Sequence, residues 1–153
     1  MIEIKESTDI MVSHPNHYQT ASGAEVIDII ESLTSGLTGI LAVDVGNAIK
    51  YLFRYKKKNG IQDVEKARWY MIHLYGKIDD GQIIKRDKAG LDIVMAIDDI
   101  VECEKDFSPR ESLYVKNSLF WILNFETRDD VYTVIQCIDK LINILKGDVE
   151  NEN

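Results

Sequence analysis

Asn47, Lys50 and Arg54 recur at i, i+3 and i+7, the spacing that stacks side chains on one face of a helix. Arginine offers a planar fork for phosphate oxygens, lysine a point charge, and asparagine a donor and an acceptor for a base or a sugar. Gly46 lies beside them. Glycine inside a helix costs about 1 kcal/mol relative to alanine, and is tolerated where another helix or a ligand must approach the backbone. Lys57 and Lys58 fall on the same side. The run Lys56 to Lys58 is better explained as a solvated helix end complementing the negative dipole end. That explanation fits Lys50 and Arg54 less well, because they lie earlier on the helix.

Three other groups of residues have chemistry-bearing spacing. Lys66, Trp69 and His73 share one side of the next predicted helix. A tryptophan on such a face is either an oligomer contact or a stacking wall for a base, with an imidazole nearby for proton transfer. His14 and His17 flank Pro15, followed by Tyr18. The H-x-x-H spacing suits a metal, but with no cysteine or third histidine near it no zinc is expected, and the pair is read as supporting a ligand or a loop. Glu25, Asp28 and Glu31 recur every third residue, and carboxylate oxygens suit Mg²⁺. The alternative is that Ser22 is an N-cap with Glu25 at N3, acids being favourable near the positive dipole end. Asp28 is the acid that capping explains least.

These groups need a scaffold, and the chain of 153 residues is long enough for one domain with a core. Its net charge of −8 argues against binding a long nucleic acid. The charge is uneven: from Lys50 to Lys77 eight Lys or Arg face only Asp63 and Glu65, a balance of +6. A compact cationic island on an acidic protein suggests a small anionic ligand. No apolar run approaches the roughly 20 residues of a membrane span. Met1 to Met11 has no basic segment ahead of an apolar one, so no secretory leader and a cytoplasmic location are expected. Cys103 and Cys137 are far apart and read as reduced thiols.

The periodicity predicts an all-α fold, a helical bundle of about five to six helices with an irregular N-terminal segment. Helices are expected over about 23–35, 38–58, 63–75, 89–105, 108–126 and 127–146. The second carries an apolar stripe of Leu41, Val45, Ala48, Ile49, Leu52 and Phe53, opposite the cationic row. Asp63 is the expected N-cap of the third. Ser108-Pro109-Arg110-Glu111 and Thr127 with Asp130 announce the last two helix starts. Residues 1–78 read as a ligand-binding core. Residues 79–153 read as a C-terminal helical extension packed into the same domain, with an acidic, disordered tail from Gly147. There is no G-x-x-x-x-G-K-[ST] loop and no G-x-G-x-x-G, so phosphates would meet side chains on helices.

Four ordered motifs carry a resemblance: His14-Pro15-x-His17-Tyr18, Glu25-x-x-Asp28-Ile29-Ile30, Gly46-Asn47-x-Ile49-Lys50-Tyr51-Leu52-x-Arg54-Tyr55-x-x-Lys58-x-Gly60, and Asp63-x-x-Lys66-Ala67-x-Trp69-Tyr70. Over about Ser13 to Leu74 the chain resembles the SaV-like family of small phage proteins, which includes a nucleotide kinase lacking a P-loop. The resemblance implies a phage origin, the host cytoplasm, nucleotide ligands and a homo-oligomer. It implies nucleotide and phosphate binding by His14, Tyr18, Asn47, Lys50, Tyr51, Arg54, Lys58, Lys66 and Trp69. His17 and His73 are then the catalytic candidates, and Glu25 and Asp28 the candidates for Mg²⁺. The expected function is nucleotide kinase-like phosphoryl transfer to a nucleoside monophosphate. The alternatives are a non-catalytic protein that sequesters a nucleotide second messenger of host defence, and an Mg²⁺-dependent nucleotide pyrophosphohydrolase.

Overall fold

Ser108 and Glu111 form the capping box that their spacing announces. Ser108 Oγ accepts from the Glu111 amide and Glu111 Oε2 accepts from the Ser108 amide. Thr127 and Asp130 do the same one helix later. The computed structural model describes residue 5, residues 7–86 and residues 91–147. The fold is all-α: among the described residues there is no strand, only an isolated bridge between Gln19 and Glu25.

Short α1, Ile10–Ser13, is followed by a 3-10 turn at Asn16–Tyr18. Six longer helices follow: α2 Val26–Thr34, α3 Gly39–Arg54, α4 Ile61–Lys77, α5 Leu91–Cys103, α6 Pro109–Asn124 and α7 Arg128–Leu145. The expected helix start at Ala89 and the expected disordered tail after Gly147 lie outside the described residues.

Helix α3 packs between α2 and α4, α4 between α3 and α7, and α6 lies against both α7 and α5. One apolar core runs through these layers, from Val26, Ile49 and Leu52 through Met71 and Leu74 to Leu119, Ile138 and Leu141. Polar ties join the two halves of the chain. Tyr55 Oη donates to Glu111 at 3.0 Å, and Lys56 reaches the same carboxylate at 2.7 Å. Arg86 donates to the carbonyls of Leu33, near the end of α2, and Ile122, near the end of α6. Those carbonyls belong to helix ends that leave acceptors open and carry partial negative charge.

The structure corrects several helix-end expectations. Ser22 does not cap α2; the helix begins at Val26 with extended Glu25 as its N-cap residue. Gly23, at φ +88°, closes a turn in which its amide reaches the Thr20 carbonyl, so residues 22–24 are not available as a first helical turn. Asp63 is not the N-cap of α4: Gly60 is, and Asp63 faces α3 instead. Helix α3 ends at Arg54 and tightens into a 3-10 turn over Tyr55–Lys57. Lys56 and Lys57 are not merely solvated, because Lys56 pairs with Glu111 and Lys57 donates to the Gln19 carbonyl. Gly46 makes room for a helix: a Cβ there would meet Ile30 Cγ2 of α2 at 3.3 Å.

Candidate site on the seam between α3 and α4

The chain reverses between α3 and α4, so each advance along one helix is matched by a retreat along the other. Arg54 meets Asp63, Tyr51 meets Lys66, and Asp44 meets His73. Residues 44, 51 and 54 of α3 and 63, 66 and 73 of α4 therefore form one polar seam. The face of α3 that carries Gly46, Lys50 and Arg54 is covered, the first of the two alternatives that Gly46 allowed. Helix α2 and the N-terminal segment lie over it, with Ile30 against Gly46 and Tyr18 against Arg54.

Arg54 is 7% exposed. Its Nε and Nη2 donate to the two Asp63 oxygens at 3.0 and 3.1 Å, and its Nη1 donates to Tyr18 Oη at 2.9 Å. Burial alone would raise the fully buried Asp63 carboxyl, but hydrogen bonds and charge from Arg54 hold it below the usual carboxylate range. Arg54 is thus a strut that pins the N-terminal segment to both helices, rather than a free fork for phosphate.

Tyr51 is the centre of the cationic cluster. Lys50 Nζ lies 4.5 Å, the Arg54 guanidinium 4.6 Å and Lys66 Nζ 5.4 Å from its ring centroid. Tyr70 stacks on the same tyrosine at 6.0 Å. Among the described residues, only Asp63 faces these cations with a carboxylate: it is bonded to Arg54, with Lys66 at 3.7 Å. Lys50 donates at 2.9 Å to Asn47 Oδ1, whose own amide donates to the Val43 carbonyl. The head of Lys50 is therefore oriented without being neutralised.

Lys50 also borders a cavity of about 270 Å³ between the N-terminal segment, α2 and α3, together with His14, Tyr18, Gln19, Glu25 and Ile30. His14 Nδ1 donates to Glu25, which ties the segment across the start of α2. His17 stacks obliquely on Tyr18 at 4.2 Å. Burial lowers the His17 imidazole below its ordinary value, helped by the charges of Lys58 and Arg54. Lys58 itself is exposed.

The expected residues thus divide. His14, Tyr18, Lys50 and Glu25 share the cavity. Asn47, Tyr51 and Arg54 contact its lining residues Lys50 or Tyr18, and Lys66 reaches Tyr51 behind them, with the charges of Lys58 and Arg54 felt at His17. Glu25 and Asp28 are not brought together: Asp28 borders a different cavity, between α2 and α5, with Asp92. No group of three or more His, Cys, Asp or Glu suited to a metal occurs among the described residues. Trp69 and His73 stand at the far end of the seam, stacked at 5.3 Å.

Two acids of the seam were not predicted as site residues, Asp44 and Asp63. Asp44 had a visible signal: it sits three residues after Leu41 and four before Ala48, inside the apolar stripe.

A family model described as a protein of unknown function, DUF3310, matches residues 12–72. That span contains the cavity lining, α2, α3 and most of α4, and ends just before His73. No curated protein and no solved structure matches the chain. No helix among the described residues is long and apolar enough to cross a membrane.

Proposed function

We propose that the chain is a nucleotide-binding protein that holds the phosphates of its ligand at Lys50, Lys66 and Lys58. The activity proposed for it is nucleotide kinase-like transfer to a nucleoside monophosphate. One observation carries the proposal: three cations gather on the Tyr51 ring with a single carboxylate among them in the described residues, and that carboxylate is bonded to Arg54. Concentrated positive charge beside a cavity, with low-dielectric walls, favours a small anion. The resemblance of residues 13–74 to a phage family that includes a nucleotide kinase supports the same ligand class, and with it a phage origin, a homo-oligomer and action in a host cytoplasm. In transfer, the lysines would offset charge developing on the phosphoryl oxygens, with any Mg²⁺ arriving on the nucleotide.

A second role has its own support. Arginine is a strong stabiliser of a transferring phosphoryl group, and Arg54 is buried and bonded to Asp63 and Tyr18. A site whose arginine is committed to structure suits holding better than turnover, as in sequestration of a nucleotide second messenger of host defence.

The test incubates the full chain with ATP and each nucleoside monophosphate, and separately with cyclic oligonucleotides and cyclic ADP-ribose isomers. Products are resolved chromatographically and complexes weighed by native mass spectrometry. New diphosphate supports transfer; unaltered, tightly held ligand supports sequestration. The double variant Lys50→Ala, Lys66→Ala should lose at least about tenfold in affinity, or roughly 1.4 kcal/mol. Unchanged binding by that variant, or no nucleotide bound at millimolar concentration, overturns the proposal.

A further inference from the structure

Asp44, Trp69 and His73 lie at the opposite end of the seam from the cationic cluster. Asp44 and Tyr51 are seven residues apart on α3, and so are His73 and Lys66 on α4. At 1.5 Å per residue each separation is about 10 Å along the helix axis.

Asp44 is 1% exposed. Its Oδ2 accepts a hydrogen bond of 2.7 Å from His73 Nδ1, and its Oδ1 has no partner among the described residues. A buried oxygen left without a donor forfeits its hydration with nothing in return. Packing gains little in exchange, because the His73 side chain is itself 32% exposed. What the carboxylate secures is the imidazole. A carboxylate only accepts, so Nδ1 carries the proton toward Asp44 and Nε2 of the neutral ring remains an acceptor.

The imidazole lies parallel to the Trp69 indole, with 5.3 Å between centroids and 9° between planes. For planes in contact at about 3.5 Å, that distance means a lateral offset of about 4 Å. Part of the indole face beside the imidazole edge is therefore uncovered, and Trp69 as a whole is 58% exposed. Tyr70 holds the indole from the side at 5.1 Å and 86°. A large ring fixed on two sides loses little freedom when a ligand stacks on it.

We infer that Asp44, Trp69 and His73 form a ring-recognition site, in which a nucleobase stacks on the uncovered indole and donates an edge N–H to His73 Nε2. Asp44 is its positioning residue, setting which imidazole nitrogen accepts. The inference rests on the nucleotide-binding proposal and deepens it, since it places the base at one end of the seam and the phosphates at the other.

Nucleosides separate the two ends, because they carry the base without the phosphate. The chain has two tryptophans, so a Trp121→Phe background leaves Trp69 as the only indole reporter. Guanosine, adenosine, thymidine and cytidine are titrated against the full-length chain in that background. At least one should quench the fluorescence saturably. Trp69→Leu, examined by calorimetry, should lose nucleoside binding while keeping its circular dichroism. Asp44→Asn should weaken the preferred nucleoside roughly tenfold and change the ranking of the four, because the amide can present a donor to Nδ1 and reverse the tautomer. A merely structural Asp44 would weaken all four alike. Lys50→Ala, Lys66→Ala should leave nucleoside binding intact.

If nucleotides bind but no nucleoside quenches Trp69, or if Trp69→Leu binds nucleotides as tightly as the parent, this site is overturned and the phosphate site stands. If Trp69→Leu lowers the oligomer mass without changing ligand affinity, Trp69 is a subunit contact and the inference fails. If neither nucleosides nor nucleotides bind, both proposals fail.

Discussion

The molecule contains two helical hairpins of nearly equal size that have been put to opposite uses. Helices α3 and α4 have 16 and 17 residues, α6 and α7 have 16 and 18. Between α3 and α4 runs a row of charged and aromatic pairs, two of them anchored by buried acids, Asp44 and Asp63. The second hairpin holds its more buried carboxylates, Glu111 and Asp130, at the helix starts, turns the half-exposed Asp139 of α7 outward to Arg68 of α4, and fills its interior with Val115, Leu119, Ile122, Val134, Ile138 and Leu141. Charge inside a helix pair adds little stability over well-packed apolar residues of similar volume. The buried acids of the first hairpin lie on the seam where the ligand site is proposed, and the second hairpin packs behind it as support.

The largest expected effect breaks the seam at its most buried pair. Arg54→Met leaves the fully buried Asp63 carboxylate without its bidentate partner, with only Asn59 and the more distant, half-exposed Lys66 beside it, which should cost about 3–5 kcal/mol in urea denaturation. Adding Asp63→Leu should restore much of that loss, since a dry pair replaces an orphaned charge. The double variant would also release Tyr18, so ligand affinity should stay impaired after stability returns. A single variant within about 1 kcal/mol of the parent would show that Arg54 and Asp63 do not form a buried ion pair.

In the second hairpin the corresponding change is a cavity. Leu119→Ala removes a fully buried side chain and should cost about 2–5 kcal/mol, the spread reflecting how far the site collapses. Nucleotide affinity, measured well below the melting temperature, should not change. A parallel loss of affinity would mean that the two hairpins are not separable in function, and would blur the comparison.

How much of this was readable in advance follows the same division. The caps Ser108 with Glu111 and Thr127 with Asp130, and the α7 stripe, were legible because they depend on residues three or four apart. The cationic face of α3 was legible for the same reason. Its cover was not: the segment from Ile10 to Tyr18 has no period, and is held by single contacts such as His14 to Glu25 and Tyr18 to Arg54. Asp63 looked like a cap because an acid in the first turn of a helix suits the dipole whether or not it also pairs across the seam. Ser22 misled because the left-handed turn at Gly23 competes with a first helical turn, and sequence does not say which prevails. The break in the α3 stripe at Asp44 was visible, but its partner lies 29 residues away on another helix.

A smaller effect tests whether the second hairpin is as ordinary as it looks. Thr127→Ala removes the side-chain acceptor for the Asp130 amide and should cost about 1 kcal/mol. Thr127→Ser should restore it. A loss of several kcal/mol would show that the start of α7, beside the Asp130 bonds to the Glu126 and Thr127 amides, carries more of the fold than a cap does.

The smallest effect separates the hairpins by pH. His17 sits over the seam, and burial together with Lys58 and Arg54 lowers its imidazole, while Asp63 acts weakly the other way. A lowered value means that the unfolded chain binds this proton more readily than the folded one. The contribution is therefore fully present above about pH 6.5 and is lost as pH falls toward the folded value. The second hairpin contains no histidine. Its groups lowered by hydrogen bonds against the opposing effect of burial are Glu111 and Asp130, and their contribution persists until pH falls through the carboxylate range near about 4. Amide exchange, corrected for its intrinsic pH dependence, should thus quicken around Tyr18 below pH 6.5 while the amides of α6 and α7 hold. His17→Gln should remove the early step and leave the acid transition in place. If both hairpins loosen together, or the early step survives His17→Gln, then the N-terminal segment is not a separately held cover, and the seam and its support unfold as one unit.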